Sequence, residues 1–208
     1  RQFGIDTPIN KDMTLALGTP TLTLLQMVQA FGVFCAHGVR AQPIAITRIL
    51  DRDGNLVEEN TPLLYQALNP QTAYLMTSLL QSVVEEGTGK KVSALNRPCA
   101  GKTGTTNDFR DAWFIGFTPQ LVTGAWVGYD DNTSLGKRET GGVVAAPIWL
   151  HFMQQAVKDL PVKLFEIPEG VVFAKINPAT GYAPENAGET ANFECFKEGT
   201  MPLPASGQ

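Results

Sequence analysis

Cysteine, histidine and basic charge are all scarce in this 208-residue chain, and each scarcity removes a class of function. Three cysteines stand far apart, at Cys35, Cys99 and Cys195, with no Cys-x-x-Cys among them. Zinc binding and dithiol redox chemistry are therefore not expected. Cys35 lies in an apolar helix-like run and reads as a buried thiol, while a bridge between Cys99 and Cys195 is left open by their spacing. His37 and His151 each lack a second ligand three or four residues away, so neither a metal nor a cofactor is expected. Lys and Arg total 16 against 20 Asp and Glu, a net charge of -4. That balance provides no basic face for phosphates and argues against nucleic acid as a partner. Long hydrophobic runs are missing too. The most apolar segment, Leu22 to Cys35, is interrupted by Gln26 and Gln29, so no bilayer-spanning helix is expected. No leader-like segment opens the chain, and Arg1-Gln2-Phe3-Gly4-Ile5-Asp6 reads like the interior of a longer protein.

What remains is ordinary globular composition, 43% hydrophobic and 17% charged, enough for one sizeable core. Periodicity predicts a largely buried helix from Thr21 to about His37, capped by Thr19 or Thr21 and closed by Gly38. Residues 44–59 read as a hairpin turning at Asp53-Gly54. Asn69 and Pro70 open a second helix, with Tyr74, Leu75, Leu79, Leu80, Val83 and Val84 inward, and Gly87-Thr88-Gly89 stops it. Strands are predicted over about 98–106, 112–117 and 121–129. The last two are joined by Thr118-Pro119-Gln120, hence antiparallel, and both are apolar on each face. A final helix of about 146–158 turns Ile148, Trp149, Phe152, Met153, Ala156 and Val157 inward. Residues 161–208 read as an irregular extension with one short strand at Val171-Val172-Phe173.

The chemistry concentrates in Gly101-Lys102-Thr103-Gly104-Thr105-Thr106-Asn107-Asp108. As a phosphate loop it fits poorly. The first glycine of that motif would fall on Asn96, and the residues that follow are poor helix formers. As the Lys-Thr-Gly strand of a serine acyl-transferase it fits well. Lys102 and Gly104 would share one strand face, with Thr103 and Thr105 on the other. Gly104 admits a close backbone, and a cation with hydroxyls suits a carboxylate.

That run and Asp111-Ala112-Trp113-Phe114-Ile115-Gly116-Phe117-Thr118-Pro119-Gln120-Leu121-Val122-Thr123-Gly124-Ala125-Trp126-Val127-Gly128 closely resemble the transpeptidase domain of class A penicillin-binding proteins. The resemblance extends to Leu15-Ala16-Leu17-Gly18, Thr23-Leu24-Leu25-Gln26-Met27, Gly87-Thr88-Gly89, Thr140-Gly141-Gly142, Ala145-Ala146-Pro147-Ile148-Trp149, Gly170-Val171-Val172 and Thr180-Gly181. It implies an α+β architecture, part of the β-lactamase/transpeptidase-like fold, with an antiparallel sheet covered by helices on both faces. Residues 1–160 would be the C-terminal portion of the transpeptidase domain. The activity implied is peptidoglycan cross-linking through a serine acyl-enzyme, outside the bacterial cytoplasmic membrane. The stem peptide ending in D-Ala-D-Ala and the β-lactams are the implied partners. Lys102 would be the catalytic cation. Thr103, Gly104 and Thr105 would bind substrate, and the Thr105 N–H would donate to the oxyanion.

The same resemblance demands Ser-x-x-Lys and Ser-x-Asn upstream of the box. Ser78, Ser82 and Ser93 satisfy neither. No nucleophile is expected in this chain, which is read as inactive alone. Ser134-Leu135-Gly136-Lys137 matches the first pattern literally, but it follows the box within a glycine-rich loop. Asp108 and Asp111 are read as turn and strand-start residues, not an acid/base pair. The implied sheet would lack two strands, leaving an open edge on the 121–129 strand. A companion segment or self-association is expected there. The alternative is a non-catalytic scaffold module of the same fold.

Overall fold

The computed structural model describes residues 2–10, 12–186 and 188–204. Helix α1 spans Leu24–Cys35, strand β1 Val39–Ala41, β2 Arg48–Leu50, β3 Leu56–Glu59 and β4 Leu64–Gln66. Helix α2 follows at Pro70–Glu85, then β5 at Ala100–Thr105, β6 at Asp111–Thr118 and β7 at Leu121–Gly128. Helix α3 covers Ala146–Ala156, and β8 (Val171–Ile176) with β9 (Asn192–Lys197) completes the order.

The centre is an antiparallel sheet in the order β5-β6-β7. Its strands β6 and β7 are apolar on both sides, and the helices bury each face. On one face, Phe114, Ala112 and Ala125 pack with Val84, Val92, Trp149, Met153 and Val157. The rings of Phe114 and Trp149 meet nearly edge-on at 5.1 Å. The Trp149 indole N–H donates to the Thr123 carbonyl at 3.0 Å, which ties α3 to β7. On the other face, Phe117 packs with Leu80, Ala100, Phe31, Phe34 and Phe165. Gly124 is needed there: a Cβ would lie 2.7–2.8 Å from the side chains of Leu24, Ile115 and Val28. The expected layering of helix, sheet and helix is present.

Several expectations are corrected. The cap of α1 is Thr23, not Thr19 or Thr21, because Thr23 and Gln26 form a reciprocal capping box. The helix is amphipathic rather than largely buried: only Ala30 and Val33 are fully covered, and Leu25 is 62% exposed. It closes at Ala36, and Gly38 follows with φ +90, its N–H on the Val33 carbonyl. Leu79 on α2 and Ile148, Phe152 and Ala156 on α3 are exposed, not inward. The second hairpin strand is placed correctly, but the first is only Arg48–Leu50. In its turn Gly54 alone takes positive φ, while the Asp51 carboxylate accepts the N–H groups of Asp53 and Asn55. A small β1–β4 ladder was not anticipated. Nor was the order of the extension, where β8 pairs with β9 through six residues. Asn69 and Pro70 open α2 as expected, with the Asn69 side chain accepting the Thr72 N–H at 2.8 Å.

All three cysteines are free thiols. Burial pushes the Cys35 thiol up to about 11, and burial together with the nearby Glu85 carboxylate pushes Cys99 to about 11. A raised thiol pKa depletes the thiolate below it, so alkylation of Cys35 and Cys99 by iodoacetamide at pH 8 is expected to be slow and to accelerate as pH approaches 11. Mass mapping of the native protein across that range checks this. Trp149→Ala removes the largest buried ring and its hydrogen bond. It is expected to cost about 3–5 kcal/mol in urea-induced unfolding.

Candidate functional site

Strand β5 is one of the two outer strands of the sheet, and its two halves differ. Ala100 and Gly101 are buried where α2 adjoins the strand. Thr103 and Gly104 are half-buried, and Lys102 and Thr105 are exposed. The register pairs Lys102 with Ile115, Thr103 with Phe114, Gly104 with Trp113 and Thr105 with Ala112. Cross-strand partners share a face. Thr103 and Thr105 therefore lie on the α3 side with Phe114 and Ala112, and Lys102 and Gly104 lie on the α1 side. The alternation expected from the sequence is observed. The strand also excludes the phosphate-loop reading, since Gly101, Lys102 and Thr103 sit in mid-strand and no α-helix follows them.

Hydrogen bonding fixes which backbone groups face outward. The Thr106 N–H donates to the Asp111 carbonyl at 3.0 Å, directly across from it. In an antiparallel ladder the neighbouring residue then turns its N–H and C=O away from the partner strand. The Thr105 N–H therefore points to the open edge, and so does the Thr103 carbonyl two residues earlier. The Lys102 ammonium folds onto that carbonyl at 2.9 Å, which places its charge at the same edge. Neither the Arg52–Asp53 nor the Arg110–Asp108 ion pair involves it.

Two turns outside the strand meet the threonines. The Gly141 N–H donates to the Thr105 hydroxyl oxygen at 3.1 Å. The Thr88 and Thr103 hydroxyl oxygens lie 2.7 Å apart. Gly141 is pressed so closely on the strands that a Cβ there would overlap the carbonyl oxygens of Trp113 and Gly104. The loop preceding α3 thus closes against the box, through one irregular turn at Gly141–Ala145. Thr88 and Gly141 were not singled out as site residues from the sequence. The only signal for either was the presence of Gly-Thr-Gly and Thr-Gly-Gly among the family-like matches.

The remaining candidates resolve into structural roles. The Asp111 carboxylate accepts the Trp126 indole N–H at 2.9 Å and the Thr106 hydroxyl at 3.3 Å. Asp108 pairs with Arg110 at 3.6 Å. The Ser134 hydroxyl donates to the Asp108 carbonyl at 2.6 Å, and no helical turn connects it to Lys137. Among the described residues no group of His, Cys, Asp and Glu could hold a metal, and no helix is long and apolar enough to cross a membrane. The edge of β5 thus offers a cation, hydroxyls and an outward N–H, all suited to an anionic group.

Residues 4–154 match the family model described as the penicillin-binding protein transpeptidase domain. The chain belongs to that family. Penicillin-binding protein 1A of Aquifex aeolicus is 42% identical over 178 residues, covering 86% of this chain and 24% of its own length. Penicillin-binding protein 1A of Pseudomonas aeruginosa is 36% identical, with 92% and 30% covered. The crystal structure of penicillin-binding protein 1A from Haemophilus influenzae superposes with a TM-score of 0.90 at 28% identity, covering 97% of this chain and 36% of that one. The fold is therefore the β-lactamase/transpeptidase-like α+β fold. The chain spans roughly a quarter to a third of these relatives.

Gly141→Ala is expected to force the 140–142 turn off β5 and cost about 1–3 kcal/mol. Gly32→Ala, in open space on α1, is expected to be neutral or stabilising. Urea unfolding of the two variants side by side checks the contrast.

Proposed function

We propose that this chain is the Lys-Thr-Gly portion of a peptidoglycan D,D-transpeptidase whose nucleophile lies in a part of the parent protein outside these residues. The observation that carries the reading is the open edge of β5, where the Lys102 ammonium and the Thr105 N–H lie at the rim and the Thr103 and Thr105 hydroxyls stand on the adjoining α3 face. A stem peptide ending in D-Ala-D-Ala would lie along this edge as an added strand. Its terminal carboxylate would be held by Thr103 and Thr105, with the approach of its backbone admitted by Gly104. Lys102 would supply the positive charge at the junction with the missing wall.

In that complex the parent's serine oxygen attacks the penultimate D-Ala carbonyl. The outward Thr105 N–H would donate to the carbonyl oxygen as it gathers negative charge, and a fixed donor at that place would favour the transition state over the ground state. The terminal D-Ala leaves, and an amine from a neighbouring stem resolves the acyl-enzyme into a cross-link. A β-lactam carries both a carboxylate and a strained acyl group, so it would occupy the same edge and acylate the same serine. We place the work at the extracytoplasmic face of the cytoplasmic membrane. The parent is expected to bring an anchor and a glycosyltransferase domain. A companion segment of the same domain would cover β7, which has no strand on its outer side among the described residues.

Labelling with a fluorescent penicillin separates the alternatives. The full-length parent is expected to form a stable adduct and the 208-residue chain none. Lys102→Ala in the parent is expected to slow acylation by roughly 100-fold or more. An adduct on Ser134 of the isolated chain would overturn the assignment of the nucleophile. Failure of the parent to label would favour a non-catalytic scaffold.

A further inference from the structure

We propose that Thr88 is a positioning residue of this cleft, holding the Thr103 hydroxyl so that its proton faces the open edge. The inference rests on the transpeptidase reading above. Thr88 sits in the Gly87-Thr88-Gly89 turn that ends α2, and the turn is held tightly. The Gly87 and Gly89 N–H groups donate to the Ser82 and Val83 carbonyls at 3.1 and 2.9 Å. A Cβ on Gly87 would lie 2.9 Å from the Val83 backbone, and one on Gly142 would lie 2.7 Å from the Thr88 carbonyl oxygen. The backbone of Thr88 is thus held between α2 and the loop before α3, and its exposed side chain places the hydroxyl oxygen 2.7 Å from that of Thr103.

A hydroxyl has one proton and two acceptor sites. Two hydroxyls in contact share one bond, so only one of them keeps its proton for a third group. When an anion reaches the open edge, the favourable order runs Thr88 O–H to Thr103, then Thr103 O–H to the anion, each bond polarising the next. Thr105 is set in the same way by a different donor, because the Gly141 N–H already fills one acceptor site on its oxygen. Both hydroxyls of the box are therefore backed from outside the strand, one by a backbone donor and one by Thr88. The backing acts on a carboxylate-bearing ligand and has little to offer a neutral one.

The test compares acylation of the full-length protein by a penicillin free acid and by its methyl ester, reading second-order rates. Thr88→Val is expected to lower the acid-to-ester rate ratio about tenfold, and Thr88→Ser to restore most of it. Added to Thr103→Val, Thr88→Val is expected to cause no further loss, because its effect passes through Thr103. An unchanged ratio, equal slowing of acid and ester, or additive losses would overturn the role of Thr88. If the unsubstituted protein is not acylated at all, the transpeptidase reading fails, and the role of Thr88 fails with it.

Discussion

The structure depends on the register of β5 against β6. Pairing Thr105 with Ala112 and Lys102 with Ile115 fixes both the faces and the edges of the box strand. A slip of one residue would exchange the faces, sending Lys102 toward the Phe114 core and the threonines toward α1. It would also turn the Thr105 N–H inward to β6. The register is held by burial on both sides. Phe114 and Trp149 fill one core, and Phe117 with Phe165 fills the other. Edge chemistry and core packing are set by one constraint.

The glycines near the site express a second constraint, close approach. Gly141 and Gly142 let the loop before α3 lie against the backbone of β5, β6 and the turn after α2. That contact brings the Gly141 N–H to Thr105 and clamps the turn carrying Thr88. The donors of the proposed clamp thus come from three separate stretches, around residues 88, 102–105 and 141. The sheet edge gives them a common origin, and the close-packed turns at 87–89 and 141–142 hold the outer donors against it.

The proposed division of labour follows from what this edge contains and what it lacks. In that proposal its groups would attract and orient an anion, and the nucleophile would come from another part of the parent. Ser134 and Lys137, the pair that matches a nucleophile motif on paper, lie in a loop where the serine is engaged by the Asp108 carbonyl. A helical turn is what brings an amine onto a hydroxyl three residues away, and residues 133–137 form none.

The sequence by itself determined the family and several of the local elements. Asn69-Pro70 marked the start of α2, Gly54 marked a turn, and the apolar runs flanking Thr118-Pro119-Gln120 marked the paired strands β6 and β7. These signals are legible because each depends on neighbours within a few residues. The alternation of Lys102 and Gly104 against Thr103 and Thr105 was legible for the same reason. The tertiary structure alone decided the exposure of Leu25, Leu79, Ile148 and Phe152, since periodicity shows that a residue is apolar but not whether another layer covers it. It also decided the pairing of β8 with β9, the outward turn of the Thr105 N–H and the meeting of Thr88 with Thr103. Each of these requires contact between groups distant along the chain or a ladder register, and the order of residues along one strand specifies neither.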